Sequence, residues 1–213
     1  MSDDRSSRPP LQATIVRTTW PVEVHTPRLV LRGARPDEAP AVMAYFERNA
    51  AHLAPWLPPP PRGMAEGGLA FWEQMVEEMA TLYEDRQSVR FFVRPRSAPD
   101  QLIGLRSFTR IHMGQDRACT MSGSIDHAHL RRGYMTEAGH GGIQFMFRVL
   151  GIRRIDAEYS IDNPGSPGVL AKLGFTRIGV SPSHRFANGA WRDHVLNALV
   201  DPDHQATDVH FVG

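Results

Sequence analysis

Short apolar runs alternate with amphipathic stretches along this chain. Residues 28–32, with Leu29, Val30 and Leu31, read as a first strand behind the Thr26-Pro27 turn. Pro36-Asp37-Glu38 opens a helix: proline suits the first turn and acids suit its positive end. Val42, Met43, Tyr45 and Phe46 give that helix an apolar side, and it is expected to end near Asn49. His52 to Leu57 then leads into Pro58-Pro59-Pro60-Pro61, a stiff polyproline segment or lid, because prolines in a row fit neither helix interior nor central strand. Leu69, Phe71, Trp72, Met75, Val76 and Met79 recur at helical spacing and predict a long helix over 67–84.

Three strands follow at 89–93, 101–111 and 118–126, the last two joined by a hairpin turn over 112–117. A central helix over 136–150 comes next, with Gly139, Gly141 and Gly142 set for close packing on the sheet or close approach of a ligand. A strand over 152–161, a turn over 162–167 and a short helix at 169–173 stopped by Gly174 lead to extended chain at 175–184, broken at Ser181-Pro182. Asn188-Gly189 is a hairpin signal, and 191–200 returns as the last strand. The expected organisation is a frayed tail at 1–11, a single domain over 12–203 and a polar tail at 204–213.

This order describes an α/β (α+β) domain, a mixed sheet with helices on it. The unit running through 118–126, 136–150 and 153–160 is βαβ, so its two strands should be parallel, and ligands favour the carboxyl ends of such strands. That is where His129-Leu130-Arg131-Arg132-Gly133-Tyr134-Met135-Thr136-Glu137-Ala138 lies. Gly133 lets the backbone approach a ligand, the first helical N–H groups lack partners, and two arginines add permanent charge. The stretch suits an anion such as phosphate.

Composition narrows the classes. A chain of 213 residues with 41% hydrophobic and 22% charged content is ordinary for a globular protein, and its net charge of +1 does not point to nucleic acid. The one cysteine, Cys119, cannot form an internal disulfide and reads as a buried thiol in a cytoplasmic protein. No apolar run suggests a membrane span, the N-terminus lacks a signal-peptide core, and the ten histidines show no metal-ligand spacing, so no metal is expected.

Taken together, these motifs resemble the GNAT superfamily of acetyl-CoA-dependent N-acetyltransferases. Leu130 to Met135 stands where the family has a Gln/Arg-x-x-Gly-x-Gly/Ala loop, with the central glycine matched and Leu130 and Met135 departing. Arg132 to Ala138 is similar to the branch holding the ribosomal-protein N-terminal acetyltransferases RimJ and RimL. Thr26 to Arg32, His52 to Trp56, Asn163-Pro164-Gly165-Ser166, Leu173-Gly174-Phe175 and the hairpin from Asn188 to Leu196 carry the same likeness, the hairpin being close to RimJ. The resemblance implies a mostly antiparallel twisted sheet with a central parallel pair and flanking helices. It implies acetyl-CoA as co-substrate, its pyrophosphate held by Leu130, Arg131, Arg132, Gly133, Tyr134, Met135 and Thr136. Ile125, Asp126, Asn163, Ser166 and Phe175 complete the implied coenzyme contacts.

Acetyl transfer requires a neutral amine, a polarised thioester carbonyl and a proton for the leaving thiolate. By analogy Ser166 is the candidate acid and Asn163 a pantetheine contact, with Tyr159 a second acid and an N–H near Ile125 or Asp126 for the oxyanion. Glu77 and Glu84, from the substrate-side helix, and Asp193 and His194, from the last strand, are candidate bases. A protein α-amine titrates near about 7.7–8.0 and needs less help than a lysine amine near about 10.4. The resemblance implies a protein or peptide N-terminus as the acceptor. The alternatives are a small-molecule amine such as an antibiotic, or a coenzyme-A-binding module without turnover; a monomer and a homodimer are both compatible.

Overall fold

The computed structural model describes residues 12–56, 68–187 and 189–203. The Pro58–Pro61 segment, both tails and Asn188 of the hairpin turn lie outside the described residues. Nine strands form one sheet: β1 (Thr14–Arg17), β2 (Glu23–His25), β3 (Leu29–Arg32), β4 (Val89–Pro95), β5 (Gly104–His112), β6 (Ala118–Ile125), β7 (Arg154–Ser160), β8 (Thr176–Ala187) and β9 (Ala190–Val200). Their spatial order is β1-β2-β3-β4-β5-β6-β7-β9-β8. Only β6 and β7 pair in parallel, as a crossover through a helix requires; every other neighbour is antiparallel.

Helices cover both faces. Two of them, α1 (Ala39–Leu53) and α2 (Gly68–Glu84), lie on one face, and α3 (Tyr134–Arg148) with α4 (Ser166–Lys172) lies on the other. Strand β4 shows the division directly: Phe91 and Val93 join the core beneath α3, whereas Phe92 turns to the core of Val42, Tyr45, Trp72 and Val76. A strand buried on both faces reads as a continuous apolar run, which is how Phe91-Phe92-Val93 appears in the sequence.

The three glycines of α3 serve packing. A β-carbon on Gly139 would lie 2.6 Å from Leu173 Cδ1, one on Gly141 2.8 Å from Leu31 Cδ1, and one on Gly142 2.7 Å from Phe108 Cε2. The helix axis thus sits closer to the sheet than any side chain would allow.

Several boundaries differ from the sequence reading. The first helix runs to Leu53 rather than Asn49, because Asn49 is held inside the helix by tertiary contacts: its Oδ1 accepts from the His127 N–H at 3.0 Å and its Nδ2 donates to Asp126 Oδ2 at 3.3 Å. The central helix begins at Tyr134, directly after left-handed Gly133. The short strands β1 and β2, of four and three residues, are too short to reveal a period. The break at Ser181-Pro182 is a bulge inside β8, not its end. Ser181 pairs with His194 and Arg185 with Arg192, so four positions of β8 are spanned against two of β9.

Candidate active site

The parallel ladder of β6 and β7 is short. It pairs Ala118 with Arg154, Cys119 with Ile155, Thr120 with Asp156 and Met121 with Ala157, and stops there. Beyond that point β6 pairs only with β5, as far as Ile125, and β7 only with β9, as far as Ser160. A wedge therefore opens in the sheet, and Ser122 and Gly123 are exposed although they belong to a central strand. The Asp126 N–H donates to the Ile103 carbonyl at 2.8 Å, so it is spent within the sheet and is not the expected oxyanion donor. Alternation along an antiparallel ladder points the preceding N–H, that of Ile125, the other way, into the wedge.

At the carboxyl end of β6 the Asp126 side chain is a hub. It accepts from Arg48 Nε at 2.7 Å, Asn49 Nδ2 at 3.3 Å and the Ala128 N–H at 2.9 Å. Burial works against its ionisation, but these hydrogen bonds prevail and bring its pKa down to about 2. Asp126 thus ties the last turns of α1 to the start of the loop, a clamp rather than a coenzyme contact.

The loop that follows is shaped by two left-handed residues, Arg131 at φ 59° and Gly133 at φ 76°. Such a local alternation turns successive N–H groups to one side and favours an anion. Glu137 N makes the first intrahelical bond, to the Gly133 carbonyl at 3.1 Å, leaving the N–H groups of Tyr134, Met135 and Thr136 without helical acceptors. The loop is braced from the turn between β2 and β3. Buried Glu137 accepts from Thr26 Oγ1 at 2.7 Å, Arg28 N at 2.7 Å and Arg28 Nε at 2.6 Å. Arg28 Nη1 donates to the Arg132 carbonyl at 3.0 Å, and its guanidinium lies 4.7 Å from the centre of the Tyr134 ring. Arg131, Arg132 and Leu130 are exposed, as a side of the loop open to a ligand requires.

Beneath this loop lies Arg106 of β5. It is 4% exposed, donates only to the carbonyls of Met135 at 2.6 Å and Ser122 at 3.4 Å, and its Nε has no partner. Burial pushes its pKa down to about 10. Among the described residues no carboxylate pairs with it, so a positive charge is held under the first turn of α3 and against Gly123 of the wedge.

Across the wedge, Asn163 Oδ1 accepts from the N–H groups of Gly165 at 2.9 Å and Ser166 at 3.2 Å. Asn163 therefore caps α4, and Ser166, its first residue, is half-buried with a hydroxyl that makes no hydrogen bond to another described residue. Tyr159 lies in β7 partly packed on the core. Phe175 goes into the core at 8% exposure.

The expected bases do not gather here. Glu77 and Glu84 are on the exposed side of α2, and Glu84 adjoins the β4 end that pairs with Phe108, away from the Ile125 end. Asp193 Oδ1 is engaged by the Ser183 N–H at 2.8 Å, and His194 is buried with Nδ1 3.2 Å from the Arg192 carbonyl. The structure instead brings together Glu158 of β7 and His184 of β8, 2.7 Å apart, in a cavity of about 350 Å³ on the sheet face opposite α3. In the sequence Glu158 looks like a solvated strand position. Arg28 and Glu137 were visible only as parts of motifs, because their pairing spans 109 positions.

Comparison with known proteins decides what this wedge and loop belong to. An acetyltransferase (GNAT) domain model matches residues 28–176. The chain belongs to the GNAT acetyltransferase family. It is an acetyltransferase, of the RimJ-like kind. It is 31% identical over 182 residues to the [ribosomal protein uS5]-alanine N-acetyltransferase of Escherichia coli (strain K12), covering 85% of this chain and 92% of that protein. Its fold is similar to the ribosomal-protein-S5-alanine acetyltransferase of Vibrio fischeri, with a TM-score of 0.79 and 28% identity over 85% of this chain and 98% of that one. It also matches Mycobacterium smegmatis RimJ, solved in complex with a CoA-disulfide, at TM-score 0.77 and 22% identity over 85% of this chain and 88% of that one, a likeness of fold. GNAT acetyltransferases take their acetyl group from acetyl-CoA. Among the described residues no group of three or more His, Cys, Asp or Glu is arranged to hold a metal.

Proposed function

We propose that this protein binds acetyl-CoA across the wedge and transfers the acetyl group directly to the α-amine at the N-terminus of a protein or peptide. The observation that carries the coenzyme reading is the anion site of the loop: three unpaired N–H groups, the left-handed pair Arg131 and Gly133, and the uncompensated charge of Arg106. These suit a diphosphate. The acceptor reading rests on the Escherichia coli relative, whose name specifies N-acetylation of an alanine of ribosomal protein uS5.

In this account the Tyr134, Met135 and Thr136 N–H groups hold the diphosphate, while Arg131 and Arg132 flank it. The pantetheine arm completes the interrupted sheet between Ser122 to Ile125 and Glu158 to Ser160, and Asn163 Nδ2 faces that arm. The Ile125 N–H donates to the thioester carbonyl and stabilises the charge that develops on its oxygen. Ser166 supplies the proton to the departing thiolate; Tyr159 is the second candidate for that role.

Calorimetric titration with acetyl-CoA, joined to single-turnover kinetics of Ser166→Ala, tests the assignment. The variant is expected to bind acetyl-CoA like the parent and to lose about 10²-fold in rate. A wild-type protein that fails to bind acetyl-CoA would overturn the coenzyme reading, and an unimpaired Ser166→Ala would remove the serine from the mechanism.

A further inference from the structure

Glu158 is the first residue of β7 beyond the last parallel pair, Met121 with Ala157, so it stands at the mouth of the wedge. Ala157 belongs to the core beneath α3, and strand alternation turns Glu158 to the opposite face, into the cavity it shares with Thr120, Arg110, His184 and Leu196. His184 belongs to β8, with β9 lying between it and β7. The bulge from Ser181 to Arg185 is what turns its ring over β9 to reach Glu158.

The hydrogen bonds fix the state of the ring. Burial opposes ionisation of Glu158, but Arg185, His184 and Arg110 (Nη2 at 3.7 Å) outweigh it and hold the carboxyl below its ordinary range. An ionised carboxylate only accepts, so the 2.7 Å contact requires the proton on His184 Nε2. When the ring carries no second proton, Nδ1 presents a lone pair, 3.0 Å from Ser181 Oγ. His194 of β9 has its ring 5.3 Å from that of His184, and Arg154 with Asp156 of β7 form a separate pair at 2.8 Å.

We propose that His184 is the proton acceptor for the incoming amine and that Glu158 is the positioning residue that sets its tautomer. The proposal rests on the acetyl-transfer reading above. The acceptor ammonium gives one proton to His184 Nδ1, through the Ser181 hydroxyl. The freed amine lone pair attacks the thioester carbon, the carbon–sulfur bond breaks, and a second amine proton ends on the coenzyme sulfur by way of Ser166. The His184 proton returns to solvent, which reaches the partly exposed ring. Three amine protons are thus accounted for: one on the histidine, one on the thiol and one kept in the amide.

The test is kcat/KM against pH for an alanine-initiated hexapeptide, with acetyl-CoA affinity and Tm measured alongside. His184→Asn is expected to lower kcat about 10²-fold and to abolish the acid limb of the profile, with acetyl-CoA affinity and Tm unchanged. His184→Ala is expected to regain rate with added imidazole. Glu158→Gln should lose about tenfold without imidazole rescue, because the ring remains present but loses its fixed tautomer. A His184→Asn enzyme with wild-type rate and an intact acid limb would overturn the proposal. So would a loss of rate accompanied by equal loss of acetyl-CoA affinity and a lowered Tm, which marks a structural role. A wild-type enzyme that turns over no amine would overturn the acetyl-transfer reading and this proposal with it, an outcome separate from the first two.

Discussion

Arg106 is a charge whose natural partner is not a side chain. Replacing it with methionine keeps most of its volume and removes a buried cation that donates to two carbonyls and whose Nε has no partner. Arg106→Met should therefore raise the stability of the ligand-free protein by about 1–2 kcal/mol. The same change should weaken acetyl-CoA binding about tenfold, since a cation under the loop attracts the diphosphate. Thermal denaturation with and without acetyl-CoA reads both effects: the starting Tm rises and the coenzyme-induced increment shrinks. Asp126 behaves in the opposite sense. Its folded pKa of about 2 lies below the ordinary carboxyl value. Its contribution is thus complete above about pH 4 and is lost as pH falls through about 2. Partner Arg48 is 41% exposed, so screening limits the contribution to about 1 kcal/mol. Denaturation between pH 5 and 2 should show that Asp126→Asn is less stable at the upper end and converges on the parent at the lower. At this scale the sequence was only partly legible. Gly133 and Ser166 stood out because turn and helix-start chemistry is local, whereas the Arg28–Glu137 brace and the Glu158–His184 pair join strands far apart in the chain.

At the scale of elements, α3 shows packing overriding propensity. Glycine in a helix interior costs about 1 kcal/mol relative to alanine, so Gly142→Ala would stabilise an isolated helix. Here a β-carbon would stand 2.7 Å from the Phe108 ring, and Gly142→Ala should instead destabilise the protein by about 1–3 kcal/mol in chemical denaturation. A neutral or stabilising result would mean that α3 rides higher on the sheet than described. The sequence left two readings for these glycines, close packing and close approach of a ligand; Leu173, Leu31 and Phe108 decide for packing. Long periodic elements such as α2 and the β5–β6 hairpin were legible to within a few residues. Strands β1 and β2 were not, because four- and three-residue segments carry too few positions to show a period. Nor was the function of Ser181-Pro182 legible as a bulge, since a break and a bulge share the same residues and differ only in whether pairing resumes beyond them.

At the scale of the molecule, everything turns on one interruption. The sheet is continuous from β1 to β8 except where β6 and β7 part, and there it offers a slot flanked by the anion loop on one side and Ser166 on the other. The parallel pair was legible from the βαβ order, but its early end was not, because register depends on how α3 and α4 hold the two strands. The acceptor side was least legible, being assembled from β5, β6, β7, β8 and β9. The central claim is that the amine reaching this slot is a chain terminus. It is tested by thiol release from acetyl-CoA with an alanine-initiated peptide, the same peptide N-terminally blocked but carrying a lysine, and an amine antibiotic. Turnover is expected with the free N-terminus and none with the blocked peptide or the antibiotic. Preferred turnover of the lysine peptide or the antibiotic, or thiol release with none of the three, would contradict it.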